Sequence, residues 1–177
     1  MMPRDEFSPI GTVLMEGDRA TLVFRRRLHH APETVWKALT DPSELSNWYM
    51  TKAVIEGREG GAVDLIAGPS RLHVTGRILT WDPPKVLEHE WKVAPRSELP
   101  SGENAIIRWE LHRDGEGTIL HLEHRGLNKL TALGFAPGTH AFLDRLDSQL
   151  GEAPLPNWQE RYNQVALQYP PSWLTRS

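Results

Sequence analysis

The sequence predicts an α+β protein in which a strongly bent antiparallel sheet of six or seven strands closes on one long C-terminal helix. Three observations carry this. Runs with period-two alternation fill most of the stretch from 51 to 124; Asp114-Gly115-Glu116-Gly117 is a strong hairpin signal between two of them; and the longest amphipathic segment, 139–150, comes only after the strands end.

Composition sets the bounds. A chain of 177 residues and 20.1 kDa is long enough for one apolar core, so residues 1–177 are expected to form a single domain. A net charge of −3 and a pI near 6.2 give no whole-chain attraction for phosphate backbones, so nucleic acid is not expected as a partner. With no cysteine there is no disulfide, thiolate nucleophile or Cys-ligated metal. No apolar run approaches a membrane span or signal-peptide core, and a soluble cytoplasmic protein is expected. Seven tryptophans are scattered along the chain, and rings of that size have to line a core or a pocket.

Residues 1–9 show no periodicity and are expected to be a loose tail. From 10 to 28 two extended runs flank the turn Glu16-Gly17-Asp18-Arg19. Arg25-Arg26-Arg27 ends the second run and is read as the solvated end of an edge strand in preference to a phosphate-binding patch. His29 and His30 are turn residues that point apart, which is wrong for joint metal ligation. Pro32 suits a first helical turn, Glu33 meets the positive end of the helix dipole, and Val35, Ala38 and Leu39 recur at helical spacing. Asp41-Pro42 breaks that helix, and a second short one runs to Trp48-Tyr49. Two small helices thus form a V closed by a large aromatic.

Residues 51–57 read as a strand, Arg58-Glu59-Gly60-Gly61 as a turn and 62–66 as the antiparallel partner. Leu72, Val74, Gly76 and Ile78 then share one face and His73, Thr75 and Arg77 the other. A glycine on the apolar face marks a bend or bulge. After the rigid turn Asp82-Pro83-Pro84, Leu87, His89 and Trp91 alternate with Glu88, Glu90 and Lys92, so the charges put His89 and Trp91 together on the inner face. Residues 94–102 are a loop.

A turn centred on Gly115-Glu116 places Leu111 opposite Leu120, Trp109 opposite Leu122 and Ile107 opposite His124. On the other face Glu110 meets His121 and Arg108 meets Glu123, each read as a cross-strand partner. A one-residue slip would spoil every pair. The same register disposes of His121-Leu122-Glu123-His124 as a metal motif, because His124 points away from His121 and Glu123. His124 joins His89, Trp91 and Trp109 inside, as a core histidine or as the polar group of a pocket.

Beyond Leu127 the period changes. Residues 128–133 read as a short helix interrupted at Gly134 and Pro137-Gly138, and 139–150 as the long one, with Phe142, Leu143, Leu146 and Leu150 on one face and Asp144, Arg145, Asp147 and Ser148 on the other. Gly151 caps it. Residues 157–169 read as a last helix, with Trp158, Tyr162, Val165 and Tyr169 spaced to pack back, stopped by Pro170-Pro171. The extension over 152–177 could cover the sheet, serve a dimer or shut a cavity mouth.

The series Pro32-Glu33-Thr34-Val35-Trp36, Asp41-Pro42, Trp48, Gly60-Gly61, Gly76-Arg77-Ile78, Asp82-Pro83-Pro84, Trp91, Gly117-Thr118 and Phe142-Leu143-Asp144-Arg145-Leu146 resembles the SRPBCC superfamily. The subgroup it is similar to is named for the C-terminal domain of activators of the heat-shock-protein-90 ATPase. The resemblance implies a helix-grip fold, with an apolar cavity between the sheet and the long helix. It implies little about chemistry, since lipid carriers, cyclases, hormone receptors and co-chaperone domains share the scaffold. Thr139-His140 stands where relatives commonly have an aromatic, which would enlarge the cavity or admit a polar ligand group.

Three functions follow. The first is a module binding a small apolar or amphipathic ligand: Leu65, Ile78, His89, Trp91, Trp109 and His124 on the sheet face Phe142 and Leu146, with Trp48 at the V, around a cavity of roughly 300 to 1,000 Å³. The second is a cyclase-like or hydrolase-like enzyme using His124 or His89 as base, although no carboxylate on their face orients the imidazole. The third, from the resemblance, is a chaperone-ATPase regulator acting through protein contacts. No cofactor or metal is expected, and the chain could be a monomer or homodimer.

Overall fold

A computed structural model describes residues 8–169; Pro170-Pro171 and residues 1–7 of the expected tail lie outside the described residues. In chain order the elements are β1 (Thr12–Glu16), β2 (Arg19–Leu28), α1 (Pro32–Thr40), α2 (Pro42–Trp48), β3 (Thr51–Ile55), β4 (Ala62–Ala67), β5 (Leu72–Asp82), β6 (Val86–Val93), β7 (Glu103–Asp114), β8 (Gly117–Asn128), α3 (Lys129–Leu150) and α4 (Trp158–Ala166). The strands make one antiparallel sheet of eight, more than the expected six or seven, in the order β1-β2-β8-β7-β6-β5-β4-β3. Its concave face grips α3, as the alternation and the late long helix predict. No described helix is long and apolar enough to cross a membrane.

The V is built as its residues dictate. Pro32 opens α1, Val35, Ala38 and Leu39 are buried, and the Asp41 carboxylate caps α2 by accepting from the Ser43 amide at 2.8 Å. Trp48, fully buried, closes it by donating Nε1–H to the Ala38 carbonyl at 2.8 Å. The hairpin of β7 and β8 has the expected register, with Leu111, Trp109 and Ile107 opposite Leu120, Leu122 and His124. Gly76 lies where a Cβ would come within 2.4 Å of the Glu90 carbonyl oxygen, so its absent side chain lets β5 and β6 approach. The register shift follows between Ile78 and Thr80.

Three expectations are corrected. β2 is not an edge strand, because β1 and β8 flank it. Period two turns Arg26 to the side of Leu22, Phe24 and Leu28, where it pairs with Asp144 of α3 at 2.9 Å, while Arg27 meets Asp114 at 3.3 Å. On the convex face the Cα partners of β7 and β8 are as expected, but the ion pairs run along each strand or across to Glu88 of β6. Arg108 takes Glu110 at 2.7 Å and Glu88 of β6 at 3.4 Å, and His121 takes Glu123 at 3.0 Å. Long side chains lean along a strand, and Glu88, which also meets Arg125 at 2.9 Å, supplies a nearer centre of charge.

The last correction is α3, a continuous helix through Gly134, Pro137 and Gly138. An interior proline forfeits a hydrogen bond and costs about 3 kcal/mol. The helix is covered on two sides: Ala132, Ala136, Leu143 and Leu146 are buried in the core, and Gly138, His140 and Ala141 are buried beneath neighbouring chain. Burying a Leu side chain contributes about 1.5 to 3 kcal/mol, so a few such residues offset the proline.

Candidate functional site

Sheet and helix stay apart at one end. Between the concave face, the N-terminal half of α3, the 94–102 loop and α4 lies a void of about 560 Å³. Alternation on β6, β7 and β8 supplies its floor: Trp91, Ile107, Trp109, Leu122 and His124. From α3 come Phe135, Thr139 and Phe142, one turn apart on the face toward the sheet.

One wall is a run of aromatic rings. Tyr49, just after α2, stacks on Phe142 at 4.7 Å and 11°. Phe142 meets Trp158 at 5.3 Å, and Trp158 meets Tyr162 at 5.1 Å. The extension after Gly151 therefore packs across α3 and completes the wall. Arg161 donates to the Asp144 carboxylate at 2.7 Å, Trp158 Nε1–H to the Gly138 carbonyl at 3.2 Å, and Arg145 to the Pro156 carbonyl. A side chain at 138 would press on the Trp158 ring, with Cβ only 3.3 Å away.

Two residues of the floor, Trp91 and His124, carry buried polar atoms without a partner among the described residues. Their rings meet edge to face at 4.9 Å, and Phe135 packs against both, stacked on His124 at 5.7 Å and edge-on to Trp91 at 6.0 Å. Trp91 is 4% exposed and His124 3%, and neither Trp91 Nε1 nor His124 Nε2 has a hydrogen-bond partner among the described residues. A buried polar atom left unpaired costs about 1 to 3 kcal/mol. Burial, helped by the neighbouring charge of His89, pushes the His124 pKa down to about 3, so the imidazole is neutral near pH 7. The His89 pKa is also lowered by burial, and its Nδ1 bonds the Glu90 carbonyl at 2.7 Å.

Of the candidate residues, the structure brings Trp91, Trp109, His124 and Phe142 together around the void. Trp48, Leu65 and His89 line a separate space of about 30 Å³ behind Trp91 and Trp109, room for about one water. Ile78 and Leu146 are buried in the packed core and line neither. Thr139 faces the void, while His140 turns to the other side of α3, where its Nδ1 bonds the Tyr169 hydroxyl at 2.9 Å. The wall residues Tyr49, Leu99 and Phe135 escape sequence reasoning. Leu99 sits in an aperiodic loop, and Phe135 in a stretch that Gly134 and Pro137 disguise as a break.

An uncharged, mostly apolar floor bordered by aromatic rings suits binding better than acid–base work. No carboxylate hydrogen-bonds His124 among the described residues, and a pKa near 3 makes a weak base. The described residues hold no group of three His, Asp or Glu arranged for a metal ion.

Fold and site together define a helix-grip protein with a pocket between its sheet and long helix. The chain belongs to the family described as activator of Hsp90 ATPase homolog 1-like protein, whose model matches residues 29–151. Its structure is similar to that of CalU16 from Micromonospora echinospora, with TM-score 0.71 and 23% identity over 95% of this chain and 96% of that one. It is similar too to protein BPP1335 from Bordetella parapertussis, with TM-score 0.68 and 22% identity over 96% and 93%. Protein MLL2253 from Mesorhizobium loti gives 0.67 and 24% over 76% and 99%. Likeness at this identity establishes the fold. No curated protein matches the chain in sequence.

Proposed function

We propose that this protein binds one small, largely apolar molecule between Trp91, Trp109 and His124 of the sheet and Phe142 of α3, as a single domain whose last helix is part of the binding wall. The observation that carries this reading is the void of about 560 Å³ bordered by aromatic rings, in an interior that is otherwise close-packed. Close packing would have been simple to reach with a larger residue at Thr139 or Gly134, both of which line the space.

Pyrene is a suitable probe, because tryptophan emission transfers to it at short range. Titration gives saturable transfer at one site per chain, and Phe142→Ala and Trp158→Ala each weaken binding roughly two- to tenfold, as loss of an aromatic contact does. Unsaturable uptake, or the same affinity in both variants, defeats the reading.

The family description supports a second reading, contact with an Hsp90-type chaperone. Stimulation of that chaperone's ATPase by the purified protein is its test, and no stimulation at saturating protein removes it.

A further inference from the structure

We infer that the floor of this pocket selects an uncharged ligand bearing one hydroxyl or carbonyl oxygen, which is held between Trp91 Nε1 and His124 Nε2. The inference rests on the ligand-binding reading and adds to it the chemistry of the ligand's polar group. An indole N–H only donates, so Trp91 requires an acceptor. A neutral imidazole nitrogen donates or accepts according to its tautomer, so His124 adapts to what arrives. A hydroxyl oxygen accepts from Trp91 and donates its proton to His124; a carbonyl oxygen accepts from both. One oxygen thus satisfies two nitrogens that have no partner among the described residues.

Geometry limits where that oxygen goes. The two rings are in contact at 4.9 Å, and Phe135 lies against both of them while also lining the void. Both nitrogens are buried under these rings, so a ligand oxygen reaches them only where Phe135, itself half-buried, gives way.

Charge limits what the oxygen belongs to. A carboxylate would also accept from both nitrogens, but it would bring a full charge to a floor with no cation among the described residues. The floor residues are Trp91, Ile107, Trp109, Leu122 and His124, with His89 behind. Among the described residues the pocket's one arginine is Arg96, at the rim in the 94–102 loop. Its Nε already donates to Glu98 at 2.6 Å and its Nη2 to the Ser70 carbonyl at 3.4 Å. Burying an unpaired carboxylate costs far more than one hydrogen bond returns. An anionic amphiphile is therefore left with its charge at the rim and gains nothing from the floor.

Three probes of one shape test this at pH 7.5: pyrene, 1-pyrenemethanol and 1-pyrenecarboxylate, each titrated into the whole protein. The alcohol binds roughly tenfold tighter than pyrene, the difference one well-made hydrogen-bond pair supplies, and the carboxylate no tighter than pyrene. Trp91→Phe and His124→Leu, each checked for cooperative unfolding, erase most of the alcohol's advantage, read within each variant as the ratio of alcohol to pyrene affinity; the ranking in the unaltered protein stands if either variant fails to fold. An alcohol no better than pyrene, or a carboxylate tightest of the three, overturns the inference and leaves the binding reading intact. If none of the three binds, both fall.

Discussion

Arg145 and Trp48 lie 97 residues apart in sequence, and the Arg145 Nε–H donates to the Trp48 carbonyl at 2.9 Å. The same guanidinium bonds the Asn47 carbonyl at 2.9 Å and reaches the Pro156 carbonyl. One planar fork on α3 thus holds the C-terminal end of α2, where backbone acceptors lack helical partners, and the segment leading into α4. Arg145→Met keeps the aliphatic stem and removes the donors. It lowers stability by about 2 to 3 kcal/mol in denaturant unfolding, and Arg145→Lys recovers only part. An unchanged midpoint in Arg145→Met would show that these bonds hold nothing.

Gly76 and Gly134 give opposite results when changed to alanine. At 76 the new Cβ comes within 2.4 Å of a backbone oxygen on β6, so strands must separate and stability falls by about 1 to 3 kcal/mol.

At 134 the added Cβ meets nothing within 4 Å, and the residue is inside α3. Gly134→Ala therefore stabilises by about 0.5 to 1 kcal/mol, the difference in helix propensity. Thermal unfolding of the two variants should bracket that of the parent protein; a destabilised Gly134→Ala shows that α3 is not a continuous helix there.

The contrast between these glycines shows what the sequence carried. Where one period governs, the reading transferred residue by residue, as in the β7–β8 register or the shared inner face of His89 and Trp91. Where a local signal competes with tertiary cover, it failed. Pro137 and its neighbouring glycines read as a break, yet the sheet and α4 together hold α3 continuous. Arg26 looked like one of three solvent charges because its partner, Asp144, comes from an element read as polar on that face. Half the pocket was legible for the same reason. Strand alternation exposes Trp91, Trp109 and His124, whereas the depth of the void depends on how far α3 stands off the sheet, which no periodicity records.

Acid should destabilise the fold through its buried histidines. His124 and His140 have folded pKa values near 3 and 4, lowered first by burial, against about 6.5 in an unfolded chain, and His89 is lowered too. Arg26 and Arg161 further oppose a charge on His140, while Asp144 favours one. Below about pH 6.5 the unfolded chain takes up protons that the folded chain refuses. Stability is therefore full above that pH and falls toward pH 4, at up to about 1.4 kcal/mol per unit for each such histidine. Guanidinium midpoints at pH 7, 6 and 5 check this, with a shallower fall in His124→Leu. A flat midpoint from pH 7 to 5 would mean that these imidazoles are not held neutral.

Ligand capture has a direct spectroscopic signature at Trp91. Its indole N–H is unpartnered among the described residues, whereas those of Trp48 and Trp158 already donate to backbone carbonyls. In a proton–nitrogen correlation spectrum, one equivalent of 1-pyrenemethanol should move the Trp91 indole signal downfield and leave that of Trp48 near its place. A bound probe that shifts other signals while the indole signals of Trp91, Trp109 and Trp158 all stay fixed would place the ligand outside this pocket and contradict the proposed function.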